Sequence, residues 1–161
     1  MTSMIESAEF QQAMRLIMEE RIPFCRVIGL KLRSFDPDRP EMQFAMREEL
    51  IGNFAQGMLH GGVIAAALDS VAGFAVGLKL AHLHTRQDLM TQLQEFARVS
   101  TIDLRIDFLQ PGRGKSFVAS ADVTRLGKRV ANVQMTLHND EGLRIATGSA
   151  AFMVQSSRGQ V

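Results

Sequence analysis

The stretch GGVIAAALDSVAGFAVGL, residues 61–78, carries a single charge, Asp69, and how it is read decides the fold. Its length approaches that of a membrane span. It is equally the pattern of a helix enclosed inside a fold, because a helix that is apolar all round must be covered by something. Small residues dominate, and Leu68 and Leu78 are its only leucines, which suits close packing against a sheet. Asp69 near the centre would be costly in lipid, and the flanks carry no cluster of basic residues. The stretch therefore reads as a buried helix that needs an enclosing sheet.

That sheet is legible downstream. TIDLRIDF, residues 101–108, alternates strictly, with Ile102, Leu104, Ile106 and Phe108 on one face and Thr101, Asp103, Arg105 and Asp107 on the other. This is the pattern of a half-buried strand. After the turn residues of QPGRGK (110–115), the next run places Phe117, Ala119, Ala121 and Val123 together. Leu126-Gly127-Lys128 reverses the chain into a strand with Ala131, Val133, Met135 and Leu137 on one side, and Asn139-Asp140-Glu141-Gly142 reverses it again into a strand over 143–154. With an earlier strand around Met42, Phe44 and Met46, these hairpins predict an α+β fold: a long central helix wrapped by an antiparallel sheet of about five strands. Upstream, Ser7 or Ser3 caps an expected helix through Met14, Ile17 and Met18, which Pro23 stops. Residues 87–98 (QDLMTQLQEFAR) hold Leu89, Leu93 and Phe96 at roughly helical spacing, a short excursion before the strand at Thr101.

Composition narrows the class. The 161 residues suit one domain over 1–161, with 1–22 as an N-terminal helical extension. Hydrophobic residues at 46% and charged residues at 22% exclude disorder and low complexity. A net charge of +1 gives no reason to expect a nucleic-acid surface. Cys25 is the only cysteine, so an intrachain disulfide and a cysteine-based zinc site are both excluded, and a reducing compartment is expected. Residues 1–10, MTSMIESAEF, lack a basic region followed by an apolar run, which makes the cytoplasm the expectation.

The candidate chemistry centres on Asp69, since a carboxylate on an apolar helix must be hydrogen-bonded, shifted in pKa or exposed at a cleft. A local role, bonding the backbone beside Ser70, is the plain alternative. LHGGVI (59–64) ends a loop containing Asn53 and Gly57 and opens the helix. First-turn N–H groups there lack intrahelical acceptors and form a site for an anion or a polarised carbonyl. A carboxylate opposite such donors is equipped for acyl transfer to water. Gly61 and Asp69 stand eight residues apart, however, or roughly 12 Å along a helix. Reacting atoms must approach to about 3–3.5 Å, so the pattern predicts a dimer in which two antiparallel copies of the helix share two sites.

The segments GNFAQGMLHGGVIAAALD (52–69) and TIDLRIDFLQPGRG (101–114) resemble those of the hotdog-fold acyl-CoA thioesterases of the PaaI-like superfamily, and within it the YigI-type medium- and long-chain acyl-CoA thioesterases. The resemblance runs over nearly all of the chain. It implies hydrolysis of acyl-CoA with Asp69 as nucleophile or general base, the Gly61 N–H polarising the thioester carbonyl, and His60 shaping that junction. It also implies that Asn53 helps place the substrate carbonyl or the attacking water, and that Thr101 orients the water. The loop from Asn53 to His60 is one residue longer than in better-known members, which bears on Asn53 more than on Asp69.

Gly62 and Gly57 complete the expected substrate-binding loop. Arg113, Lys115, Lys128 and Arg129 are candidates for the CoA phosphates, with solvated turn charges as the alternative. GRGKS (112–116) is no phosphate-binding loop, because Leu109 stands where its first glycine belongs. His82 and His84 have no third ligand at a supporting spacing, so neither metal nor cofactor is expected. Two other classes are compatible with the pattern: a non-catalytic acyl-CoA sensor, and a dehydratase or hydratase in which His60 would have to act. Phe54, Met58, Phe74, Leu78, Leu80 and residues 87–96 are the expected walls of an acyl tunnel.

Overall fold

The helix expected at residue 61 forms as α3, Gly61–Leu83, in a computed structural model that describes residues 4–84 and 88–154. By length and mean hydropathy (1.7) α3 could cross a membrane. Its surroundings show what its apolar surface is for: it packs against β6 (Ser116–Leu126) and β7 (Val130–Asn139), and residues such as Leu68, Val71, Phe74 and Leu78 have no exposed surface. Each side chain of that size, fully buried, contributes roughly 1.5–3 kcal/mol.

The covering sheet is antiparallel and has six strands in the order β1-β2-β6-β7-β8-β5. Its members besides β6 and β7 are β1 (Lys31–Ser34), β2 (Glu41–Ala45), β5 (Ser100–Phe108) and β8 (Arg144–Met153). The alternations at 117–121 and 131–137 are realised as read: Phe117, Ala119, Ala121, Ala131, Val133, Met135 and Leu137 all face the core. Phe44 of β2 stacks on Phe117 across the ladder, with ring centroids 5.2 Å apart. The sixth strand, β1, is four residues long and contributes only Leu32 to the core, too short an alternation to stand out in sequence. A separate two-stranded ribbon, β3 (Ile51–Asn53) with β4 (Met58–Leu59), leads into α3.

Two expectations are modified. The half-buried expectation for β5 holds at Leu104 and Ile106, which pack against the core, but β5 is a sheet edge, paired among the described residues only with β8, and Ile102 and Phe108 of the same face are 53% and 56% exposed. Near the N-terminus, α1 (Ala8–Arg15) is capped by Ser7, whose Oγ accepts a hydrogen bond from the Phe10 N–H; Ser3 lies outside the described residues. The chain then runs through a wider helical turn, Leu16–Arg21, and Pro23 opens α2 (Pro23–Ile28) at its first position, where the missing N–H matters least. Ile5, Phe10, Met14 and Met18 of this segment join the main core. The short helix before Thr101 is α4, Leu89–Phe96, capped by Asp88; Gln87 lies outside the described residues.

Candidate active site

Asp69 is partly exposed on α3, and its carboxylate faces the first residues of β5. There the Thr101 hydroxyl donates a 2.8 Å hydrogen bond to Asp69 Oδ1. Among the described residues no protein group bonds Oδ2, which leaves one carboxylate oxygen for a substrate or a water. Thr101 lies beside a register shift between Thr101 and Asp103, where a bulge re-aims side chains. The pair links residues 32 positions apart that sequence could nominate only separately.

His60 is the N-cap of α3. Its backbone is extended, its carbonyl accepts from the Val63 and Ile64 N–H groups, and its Nδ1 accepts from the Gly62 N–H at 2.9 Å. With Nδ1 an acceptor, the ring proton of the neutral form sits on Nε2. The first-turn donors are therefore mostly spent. Gly62, expected to serve substrate, gives its N–H to His60, and of the four first-turn N–H groups only that of Gly61 has no acceptor among the described residues. The Phe108 ring flanks that donor: a methyl group at residue 61 would stand 3.4 Å from Phe108 Cε1.

The junction is held from behind by a residue the sequence reading quoted but gave no role, Gly52. A methyl group there would stand 2.6 Å from His60 Cα, backbone against backbone, so only glycine lets β3 lie against the cap. The His60 N–H donates to the Leu50 carbonyl from the same side, and the Leu59 N–H to the Gly112 carbonyl. Gln56 was also missed: its Oε1 accepts from Arg113 at 2.7 Å and ties the β3–β4 turn to the β5–β6 connection. The only available signal for either residue was long-range contact, which a single sequence does not display.

The remaining candidates fall into two groups. Asn53 and Gly57 shape the β3–β4 turn: the Asn53 carbonyl accepts from the Gln56 N–H, and Gly57 adopts φ +59°, a conformation suited to glycine. Phe54 on this turn is 93% exposed, whereas Phe74 and Leu78 are sealed in the core, so within one chain these expected tunnel walls do not line a common space. Arg113 and Lys115 stand at the Gly61 end of the sheet. Lys128 and Arg129 stand at the far end of β6, roughly 35 Å away at about 3.3 Å per residue. The Lys115 N–H donates to Asp140 Oδ1, which holds that carboxyl below the usual range. His84, for which no carboxylate stood at a supporting spacing in sequence, contacts Glu95 Oε2 at 2.9 Å, and no cluster of three or more metal-ligating side chains occurs among the described residues.

The two halves of the expected chemistry do not converge in one chain. Asp69 meets Thr101 at one end of β5 and Gly61 meets Phe108 at the other. Seven residues of strand separate those contacts, roughly 23 Å, and the helix rise alone puts about 12 Å between the two backbones.

The thioesterase superfamily model matches residues 56–146, from the β3–β4 turn into β8. The medium/long-chain acyl-CoA thioesterase YigI of Escherichia coli (strain K12) is 40% identical over 151 residues, covering 89% of this chain and 95% of the relative. The YigI protein of Salmonella typhimurium is also 40% identical with the same coverage. A crystal structure from Shewanella oneidensis, described as related to the thioesterase superfamily, superposes with a TM-score of 0.85 at 36% identity, covering 92% of this chain and 97% of that one.

Proposed function

The chain belongs to the thioesterase superfamily, and from that premise we propose that it hydrolyses acyl-CoA thioesters of medium to long chain length to the free acid and CoA. The observation that carries this reading is the Thr101–Asp69 hydrogen bond, which fixes one carboxylate oxygen and leaves the other open at the helix surface. The YigI relatives, named as medium/long-chain acyl-CoA thioesterases, support the substrate class.

In the reaction, the thioester carbonyl oxygen lies on the free Gly61 N–H, which strengthens its hold as negative charge develops on that oxygen. Asp69 Oδ2 either attacks the carbonyl carbon, giving a mixed anhydride that water opens, or takes the proton of a water that attacks in its place. Both routes expel CoA as a thiolate that takes up a proton. Thr101 keeps Asp69 aimed, and His60 positions Gly61. Asn53, on the exposed β3–β4 turn, is placed to meet the substrate carbonyl or the water from the loop side. No metal or redox cofactor has a part in this scheme.

Because one chain holds the acid and the donor apart, the working unit is a homodimer. Two β5 edges pairing antiparallel about a two-fold axis set Thr101 of one protomer opposite Phe108 of the other, and so bring Asp69 of one beside Gly61 of its mate. The exposed Ile102, Phe108 and Leu109 on that unpaired edge support this pairing. CoA phosphates fall to Arg113 and Lys115, at the Gly61 end, joined in the shared site by Lys128 and Arg129 of the partner protomer, which stand at the Thr101 end of its sheet.

Incubating the pure protein with a panel of acyl-CoAs and a thiol reagent tests the reading. Release of free CoA is expected. Hydration of an enoyl-CoA, or binding without turnover, would replace thioester hydrolysis with one of the other two classes.

A further inference from the structure

Four neighbouring strands, β2, β6, β7 and β8, turn a polar row away from α3. Phe117, Ala119 and Leu137 face the core, so the alternation sends Val118, Ser120, Thr136 and His138 to the opposite face. The register sets Val118 between His138 of β7 and Gln43 of β2. A shift in pairing between Leu137 and His138 then brings Arg144 of β8 opposite His138. Over this row lies a hollow of about 600 Å³, walled by Arg33, Arg39, Glu41, Ser116, His138 and Asp140. The sheet separates it from α3, and so from Asp69 and Gly61.

The charges of this hollow do not cancel. Its two carboxylates are already engaged: Glu41 Oε2 stands 3.6 Å from Arg33 Nε, and Asp140 Oδ1 accepts from the Lys115 N–H at 2.8 Å. The side chains of Arg39, Arg144 and His138 have no hydrogen-bond or ion-pair partner among the described residues. They crowd one another instead: partial burial, then Arg144 and Arg39, hold the His138 pKa below its ordinary value, with Glu41 opposing weakly. The floor adds hydroxyls. Buried Ser120 shares a 2.9 Å hydrogen bond with Thr136, and whichever of the two donates, one hydroxyl proton is left over. Cations without counter-charges around a concavity, beside a spare donor, suit an anion with several oxygens.

We propose that this outer-face hollow binds a phosphate-bearing anion, with Arg39 and Arg144 as its guanidinium contacts and His138 and Ser120 as further donors. A guanidinium fork pairs two N–H groups with two oxygens of one phosphate. His138 donates through its second nitrogen once protonated, and a bound anion eases that protonation by offsetting Arg39 and Arg144. The charged groups facing His138 are Arg144 from β8 and Arg39 and Glu41 from the β2 side; Arg33 of β1 and Asp140 beyond β7 complete the lining, and β6 presents only Ser116, Val118 and Ser120. Binding therefore strengthens as pH falls through the histidine range. Two sources carry this chemistry, a free phosphate compound and the nucleotide end of CoA. The second is within reach because Asn139, which also lines the hollow, donates from Nδ2 to the Arg113 carbonyl at 2.9 Å.

The test follows the His138 ring by NMR in a non-coordinating buffer as inorganic pyrophosphate is added, with sodium chloride at matched ionic strength as the control and His138→Gln to assign the signal. Pyrophosphate is expected to raise the His138 pKa while leaving His82 and His84 where sodium chloride leaves them. Arg39→Gln and Arg144→Gln, both at exposed positions, should each weaken pyrophosphate binding about tenfold or more, the scale of a hydrogen bond between charged groups. Arg125→Gln, further along β6 and outside the hollow, should not. The same titration with CoA identifies the source. Movement of His138 with CoA, together with a raised KM for acyl-CoA in Arg39→Gln, assigns the hollow to the nucleotide end of the substrate; movement with pyrophosphate alone assigns it to a free phosphate compound. A His138 response to pyrophosphate no larger than to sodium chloride, or equal affinity in wild type and in both folded arginine variants, overturns the proposal.

Discussion

Thr101 Oγ1 donates to Asp69 Oδ1 at 2.8 Å, and this bond joins the start of an edge strand to the middle of a buried helix. A hydrogen bond to a carboxylate contributes about 1.5–3 kcal/mol. Thr101→Ala should therefore lower kcat about tenfold with little change in KM, and Thr101→Ser should restore most of it. Asp69→Asn keeps the shape of the site and removes the charge, and should reduce kcat by roughly two orders of magnitude or more. Steady-state assays of CoA release on the three variants check this; near-normal turnover in Asp69→Asn would remove Asp69 from the mechanism.

The cap of α3 should be as sensitive to the residue behind it as to His60 itself. Gly52→Ala places a methyl group 2.6 Å from His60 Cα, a backbone atom that cannot yield as a side-chain end would, and 2.9 Å from His60 Cβ. A loss of about 1–3 kcal/mol is expected from the forced shift, together with reduced turnover because Gly61 moves with His60. His60→Ala removes only the side-chain acceptor of the Gly62 N–H, and about 1 kcal/mol should go with it, as for other N-caps. Chemical denaturation of both variants ranks the effects, and a Gly52→Ala protein as stable as wild type would refute the packing argument.

His138 offers a pH test away from the active site. Partial burial, then the nearby Arg144 and Arg39, push its pKa below the ordinary histidine value, with Glu41 opposing weakly. The folded state thus prefers neutral imidazole. Its contribution to stability is fully present above the unfolded pKa of about 6.5 and is lost as pH falls through the lower folded value. Between about pH 7.5 and pH 5.5, on either side of that unfolded value, wild type should lose more thermal stability than His138→Gln. Equal losses would mean that His138 is not the titrating group.

The core of the fold was legible because its strands alternate over seven or more residues and lie in the centre of the sheet. Ala131 to Leu137 were assigned to the buried face on pattern alone, and that face is buried. Where pattern was short or its partner lay elsewhere, reading failed. β1 contributes one core side chain, and on β5 only the centre of the apolar face, Leu104 and Ile106, packs against the core, while Ile102 and Phe108 at its ends stay exposed. The candidate site followed the same division. Asp69, His60 and Gly61 stood out by local anomaly, a charge or a glycine pair at a helix entry. Gly62 gives its N–H to His60, a contact two residues away that depends on one side-chain rotamer and that local pattern does not display. Gly52 and Gln56 act through backbone and side-chain partners far along the chain, so no local pattern marks them.

The sharing of each site between two chains can be measured directly by co-expressing two variants that are each inactive alone. Asp69→Asn lacks the acid. Gly61→Pro lacks only the donor N–H, since proline suits the first position of a helix and the extended backbone of His60 is what a residue before proline prefers. If the acid and the donor come from different protomers, random pairing yields half mixed dimers with one intact site of two, or about a quarter of wild-type activity from a two-fold assembly. Activity no higher than that of the separate variants, from a mixture shown to contain mixed dimers, would contradict the shared site and with it the account of how Asp69 and Gly61 act together.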